Sequence, residues 1–226
     1  MHMKKCATLF FLLGLLLFFG TSCECDHNQE PTPPFKTGWI VCTDGEIMPY
    51  CEFIKSNKIA TAIVYWVNPD LTADVAGFAV YLNDLPDAAF SETELETQGT
   101  SADIRAYDGN ENTWILHSNQ NINSPLAKNV FDLWTYGQSA YIPSIGQLAL
   151  LFQAKENSEL KLNDRLAGIG GDPLHDEADH CWYWSSTEVA GQEPGKAWLF
   201  SMHWGTIHET PKLQEHKSRP VITIYR

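Results

Sequence analysis

Cys181-Trp182-Tyr183-Trp184-Ser185-Ser186-Thr187-Glu188 opens the last fifth of the chain, which runs on to Arg219-Pro220-Val221-Ile222. Of the 8 tryptophans, Trp182, Trp184, Trp198 and Trp204 all fall here, among the turn residues Gly191, Gly195 and Gly205. Short aromatic runs separated by turn residues predict the strands of a compact β unit that buries large rings on one face. Trp182 and Trp184 are expected to divide, one ring entering the core and the other turned to the opposite side.

Working upstream, two segments carry strong helix-start signals. Ser124 caps and Pro125 occupies the first turn, with Leu126, Val130, Leu133 and Trp134 on one face before Gly137. Ser144 and Gln147 form a capping box ahead of Leu148, Leu151 and Phe152. A shorter helical turn is expected over 158–166, ended by Gly168, and Gly170-Gly171-Asp172-Pro173 opens a loop reaching His180. Earlier still, Trp39-Ile40-Val41 and Ile47-Met48 flank Asp44-Gly45 as a hairpin, which would set Cys42 opposite Ile47. Residues 60–67 form the strongest strand pattern, and 77–82 read as its partner. Residues 91–101 read as a polar loop, and Asp108-Gly109-Asn110-Glu111-Asn112 as a turn leading into Thr113-Trp114-Ile115-Leu116. No internal repeat or second linker divides the chain, so 38–226 reads as a single α+β domain.

The first residues are an address. Lys4 and Lys5 precede an apolar run over 9–19, then Gly20-Thr21-Ser22, which marks 1–22 as a secretory signal peptide. The run is shorter than the about 20 residues a membrane span needs. Its exit at Cys23 resembles the lipobox of bacterial lipoproteins, although Gly20 stands where that box usually has Leu. The resemblance implies that Cys23 is the lipidation site, so that the lipid anchor is the only link to the membrane. Residues 23–37, with Glu24, Asp26, Glu30 and Pro31-Thr32-Pro33-Pro34, form an acidic, Pro-rich tether. Acidic residues after that cysteine resemble the surface-export signals of Bacteroidetes lipoproteins, which implies an outer-membrane, cell-surface location.

Charge narrows the partners. The formal net charge is −13, and Cys23 to Asn119 hold 4 basic and 16 acidic residues against 9 and 12 from Gln120 to Arg226. Without a basic stripe, nucleic acid is excluded as a partner. Of the 6 cysteines, Cys6 leaves with the signal and Cys23 would carry lipid. Cys25, Cys42, Cys51 and Cys181 remain, and their pairing stays open, with Cys42 and Cys51 the nearest candidates.

Tyr141-Ile142-Pro143-Ser144-Ile145-Gly146-Gln147-Leu148 is similar to the "LPT-x-x-E-L" opening of the Lcl C-terminal domain family, a bacterial family of unknown function. Tyr183-Trp184-Ser185-Ser186-Thr187, then Ala197-Trp198, Phe200 and Gly205, then Lys217 and Arg219-Pro220-Val221, follow the order of its other landmarks. The match is strongest over 124–224. It implies a C-type-lectin-like fold: a small twisted antiparallel sheet with two helices and long loops, closed by the last strand beside an early one. Pro143-Ser144 replaces the family's "P-T", and Ser218 precedes Arg219 where Val is usual. Arg219 is expected to be a structural donor.

The chemistry follows from what the motifs contain. His175, Asp176, Glu177, Asp179 and His180 could ligate a metal but lack a recognised spacing, so no metal and no cofactor is expected. Glu193-Pro194-Gly195 departs from the calcium-lectin "EPN" signature at its third residue, and no "WND" occurs. Formylglycine-generating enzymes share the superfold but use paired late cysteines, and here only Cys181 lies beyond Cys51. The expected function is therefore non-catalytic: a surface lipoprotein that binds a glycan or an extracellular protein. The alternative is a structural or assembly component such as a fimbrial accessory or tip protein. Trp204 and His203, beside Gly205, are the expected ligand-binding residues.

Overall fold

Residues 40–48 make a hairpin, Ile40–Cys42 (β1) with Ile47–Met48 (β2), in which Val41 lies opposite Ile47 and Ile40 opposite Met48. The register is one residue from expectation because the turn is longer than two residues. The Cys42 N–H reaches the Glu46 carbonyl at 2.9 Å, and Gly45 takes a left-handed φ of 86° that a side chain would strain. The computed structural model describes residues 34–226, apart from 95, 135–139 and 192–194, and the side chains of 132 and 134. The signal peptide, Cys23, Cys25 and most of the tether therefore lie outside the described residues, as does Gly137. A short helix, Tyr50–Phe53 (α1), follows the hairpin.

The β-branched run Ala60–Val67 (β3) pairs with β1 and with Val75–Tyr81 (β4). Val221–Tyr225 (β10) closes on the other side of β4, giving the antiparallel order β10-β4-β3-β1-β2. A second sheet has the order β5-β9-β6-β7-β8, from Leu85–Ala89 (β5), Trp182–Glu188 (β6), Lys196–Ser201 (β7), Ile207–Pro211 (β8) and Glu215–Ser218 (β9). Its pairs are antiparallel except β6 with β9, which meet in parallel at Tyr183 and Lys217.

Among the described residues the helices number five: α1, Gly109–Ser118 (α2), Pro125–Trp134 (α3), Ile145–Glu156 (α4) and Leu162–Gly168 (α5). Both capping signals act as read. Ser124 Oγ accepts from the Ala127 N–H at 3.2 Å, and the Ser144–Gln147 capping box is complete. α4 packs against β3 on one side and β6 and β7 on the other, so one apolar cluster, including Ile63, Phe78, Leu148, Leu151 and Phe200, spans both sheets. A second cluster joins α2 and α3 to the second sheet through Leu116, Leu126, Val130 and Trp184.

The architecture is thus α+β, with two five-stranded sheets among the described residues, where one small sheet and two helices were expected. β5 and β9 escape sequence reading because Leu-Pro-Asp-Ala-Ala and Glu-His-Lys-Ser have no strand pattern; they are strands through the partners they meet. The expected turn over 108–112 is instead the start of α2, which runs on through Thr113–Leu116. Thr113 Oγ1 donates to the Gly109 carbonyl at 2.7 Å, and the buried Asn112, Thr113 and Leu116 recur at helical spacing. α5 starts at Leu162, later than expected, because Lys161 adopts a left-handed φ of 48°. Cys42, Cys51 and Cys181 are free thiols, so the Cys42–Cys51 disulfide does not form.

Candidate functional site

β6 carries alternate residues to alternate faces, so Trp182 and Trp184 project to the same side. This corrects the expected division of the two rings; position along the strand separates them instead. Trp184 is fully buried, edge-on to Phe90 with ring centroids 5.6 Å apart, and its indole N–H donates to the Ala88 carbonyl at 3.0 Å. Trp182, one pleat nearer the strand's start, packs on the same cluster but is only half-buried.

The β7–β8 turn brings Trp204 to Trp182. Ser201 organises it: Ser201 Oγ accepts from the N–H groups of His203 and Trp204, at 3.2 and 3.0 Å, and the Gly205 N–H returns to the Ser201 carbonyl. Gly205 has a φ of 65° with the Phe152 ring against it, so the turn needs glycine there. Trp204 is 51% exposed. Its ring lies 6.0 Å from that of Trp182 at 44°, His208 meets Trp182 edge-on at 5.8 Å, and His203 meets Trp204 edge-on at 4.6 Å. Trp204 and His203 are therefore brought together on one face, in different positions. The His203 Nδ1–H donates to the Asp176 carbonyl at 2.6 Å, which fixes its tautomer and ties the turn to the loop after Gly171. Lys155 beside Asp176 holds that carboxyl below the usual carboxylate range.

On its other side Trp182 walls a shallow cleft of about 90 Å³, shared with Asp87, Asp179, His180, His216 and Lys217. His216 stands edge-on to Trp184 at 5.4 Å, and burial lowers its pKa. Lys217 Nζ lies 5.7 Å from the centre of the Tyr183 ring and 3.9 Å from Asp84 Oδ2. Asp84 is the hub beneath. It accepts from Arg219 Nε and from the Tyr183 hydroxyl at 3.2 Å, with His175 Nε2 at 3.5 Å. Arg219, fully buried, also donates to the carbonyls of Leu82 and Asp172 at 3.1 and 2.9 Å. Burial and the neighbouring Asp84 carboxylate raise the Tyr183 pKa.

The opposite end of β6 carries a buried ion pair. Glu188 binds Lys212 and accepts from the N–H groups of Gln98 and Thr100 at 2.7 and 2.9 Å, while Lys212 also donates to the Glu96 carbonyl at 2.8 Å. This carboxylate pins the 91–101 loop that sequence periodicity left featureless. Ser185 Oγ donates to the Trp198 carbonyl at 2.7 Å, and Cys181 Sγ to that of Ala178 at 3.3 Å. Among the described residues no three His, Cys, Asp or Glu side chains are placed to hold a metal ion.

Sequence reading missed half of the cleft. Asp87, His216 and Lys217 lie on the two patternless strands, and the pairing of β9 with β5 on one side and with β6 on the other brings them beside Trp182.

The fold and the site are those of an α+β protein with a mixed aromatic and polar surface rather than an enclosed pocket. No known family and no curated protein matches the chain. Among solved structures the chain is similar to a fimbrial protein from Bacteroides ovatus ATCC 8483, with a TM-score of 0.64 and 16% sequence identity. The likeness covers 84% of this chain and 49% of that one, so this chain spans about half the length of the fimbrial protein. At that identity the likeness is one of fold.

Proposed function

We propose that the protein is a structural or assembly component of a bacterial surface filament, of the fimbrial accessory kind. The observation that carries this reading is the outer edge of β10. The ladder with β4 turns the main-chain groups of Ile222 and Ile224 toward β4, and those of Val221, Thr223 and Tyr225 outward. Tyr141 bridges Val221, but among the described residues the outward main-chain groups of Thr223 and Tyr225 have no partner. A strand edge of this kind accepts an extended segment of another chain. The likeness to a fimbrial protein supports the same reading, and the expected signal peptide and Cys23 lipidation would deliver the chain to the cell surface. Among the described residues no helix is long and apolar enough to cross a membrane.

The fold belongs, on this reading, with the C-type-lectin-like proteins and the Lcl C-terminal domain family. Support comes from the two helices α3 and α4 ahead of the aromatic strands, and from first and last strands that share a sheet. Glycan or protein adhesion is the second reading, favoured by one observation, the exposed Trp204 against Trp182.

Thr223→Pro tests the assembly reading. It removes the outward N–H while leaving the β4 ladder, since proline is tolerated on the open side of an edge strand. The variant should fold, with unchanged circular dichroism, and should be lost from the sheared filament fraction that contains the wild type. Wild-type protein absent from that fraction, or Thr223→Pro retained in it, would overturn the reading.

A further inference from the structure

The face around Trp182 combines two features that are each ordinary alone. Single exposed aromatic rings are common on protein surfaces, and so are mixed polar clefts. Here one ring belongs to both. Trp182 packs against the exposed Trp204 at 6.0 Å and also walls the cleft that holds Asp87, Asp179, His180, His216 and Lys217. Core packing accounts for Trp184, which is fully buried, but leaves half of Trp204 in water. Ser201 and Gly205 fix the turn beneath it, so the ring is presented without a mobile loop to order.

The size of the cleft decides the class of ligand. Sites that swallow a drug-sized apolar molecule run to about 300–1,000 Å³. A cleft of about 90 Å³ takes only the polar edge of a ligand whose body lies outside it, against the aromatic rings. Its groups are two carboxylates that accept hydrogen bonds, a lysine that donates, and imidazoles that do either. Such a set answers a row of hydroxyls. Two carboxylates beside one lysine also disfavour an anion.

We propose that Trp204 and Trp182 form a stacking platform for the C–H face of a neutral pyranose, whose ring hydroxyls reach Asp87, Asp179 and Lys217 in the adjoining cleft. The proposal rests on the second reading above, in which this face meets an external ligand, and names that ligand's chemistry. Binding requires no metal at the site.

Saturation-transfer NMR on the full-length mature protein tests it, with lactose, chitobiose and α-mannobiose as neutral probes and 3′-sialyllactose as the charged one. At least one neutral disaccharide should receive saturation at its ring C–H protons, more strongly than the sialylated sugar and unaffected by chelator. Trp204→Ala should weaken that binding about tenfold, the order of one lost aromatic stacking contact. Asp179→Asn should weaken it less, and Trp114→Ala, an exposed tryptophan elsewhere, should leave it unchanged. No transfer to any neutral probe, or equal transfer with Trp204→Ala, overturns the proposal. A protein captured from the cell surface by the wild type and lost with Trp204→Ala, without any sugar signal, would overturn the pyranose and leave the ligand-face reading standing. Loss of both signals would remove that reading as well.

Discussion

The two sheets differ in what they bury. The sheet built on β3 and β4 is apolar on both faces: Ile40, Ile63, Phe78 and Val80 on one, Ala62, Val64, Ala76 and Ala79 on the other. The sheet built on β6 buries full charges, with Glu188, Lys212 and Arg219 at 4%, 0% and 0% exposure. The first is held by carbon packing between residues whose strand pattern is continuous. The second is fastened to its surroundings by polar contacts that reach far along the chain, Glu188 to Thr100 and Arg219 to Asp84. Such pairs add little net stability over an apolar replacement, but removing one partner strands a buried charge. The aromatic sheet should therefore be the more brittle of the two.

Lys212→Ala breaks that comparison most sharply. It leaves the Glu188 carboxylate buried without its cation and should cost about 3–5 kcal/mol in urea unfolding at neutral pH. Glu188→Gln combined with Lys212→Met should cost less than Lys212→Ala alone, because no charge is then left unpaired. A loss under about 1 kcal/mol for Lys212→Ala would mean the pair organises nothing.

The counterpart in the apolar sheet is Ile63→Val, at a fully buried position of β3. One methylene lost from a packed core should cost about 0.5–1.5 kcal/mol, read from the same denaturant curves. Equal losses at Ile63 and Lys212 would erase the distinction between the sheets.

The smallest effect concerns pH and belongs only to the charged sheet. Burial beside Trp184 lowers the His216 pKa, with His208 acting in the same direction and Asp87 against it. The unfolded chain then takes up the proton first. The stability contribution is fully present above the ordinary His value of about 6.5 and is lost as pH falls from there toward the depressed folded value. His216→Gln should flatten the stability slope in that window; an unchanged slope would show that His216 does not carry it.

The same contrast explains what could be read from the chain. β3 matches its predicted bounds because Ala60–Val67 is a local pattern, and the Ser144–Gln147 box acts three residues apart. β5 and β9 could not be read, since Leu85–Ala89 becomes a strand only when Glu215–Ser218 pairs with it. The site divided likewise. Trp204 was singled out by its place beside Gly205, whereas Asp87, His216 and Lys217 come together only through the pairing of β9 with both β5 and β6. Glu188 stood inside the quoted aromatic motif, yet nothing in its spacing pointed to the loop 88–90 residues earlier that its carboxylate holds.

The pairing of β10 with β4 sets an order of events in time. Val80 meets Val221, so β4 keeps one open edge while the intervening chain is made. Closing that distant contact requires an unfavourable loop before any ladder bond rewards it, which makes the step slow. A chain leaving the ribosome would wait with the β10-facing edge of Val75–Tyr81 open, ready to join the wrong partner. Folding of this protein should therefore depend on holdase chaperones until β10 has been made.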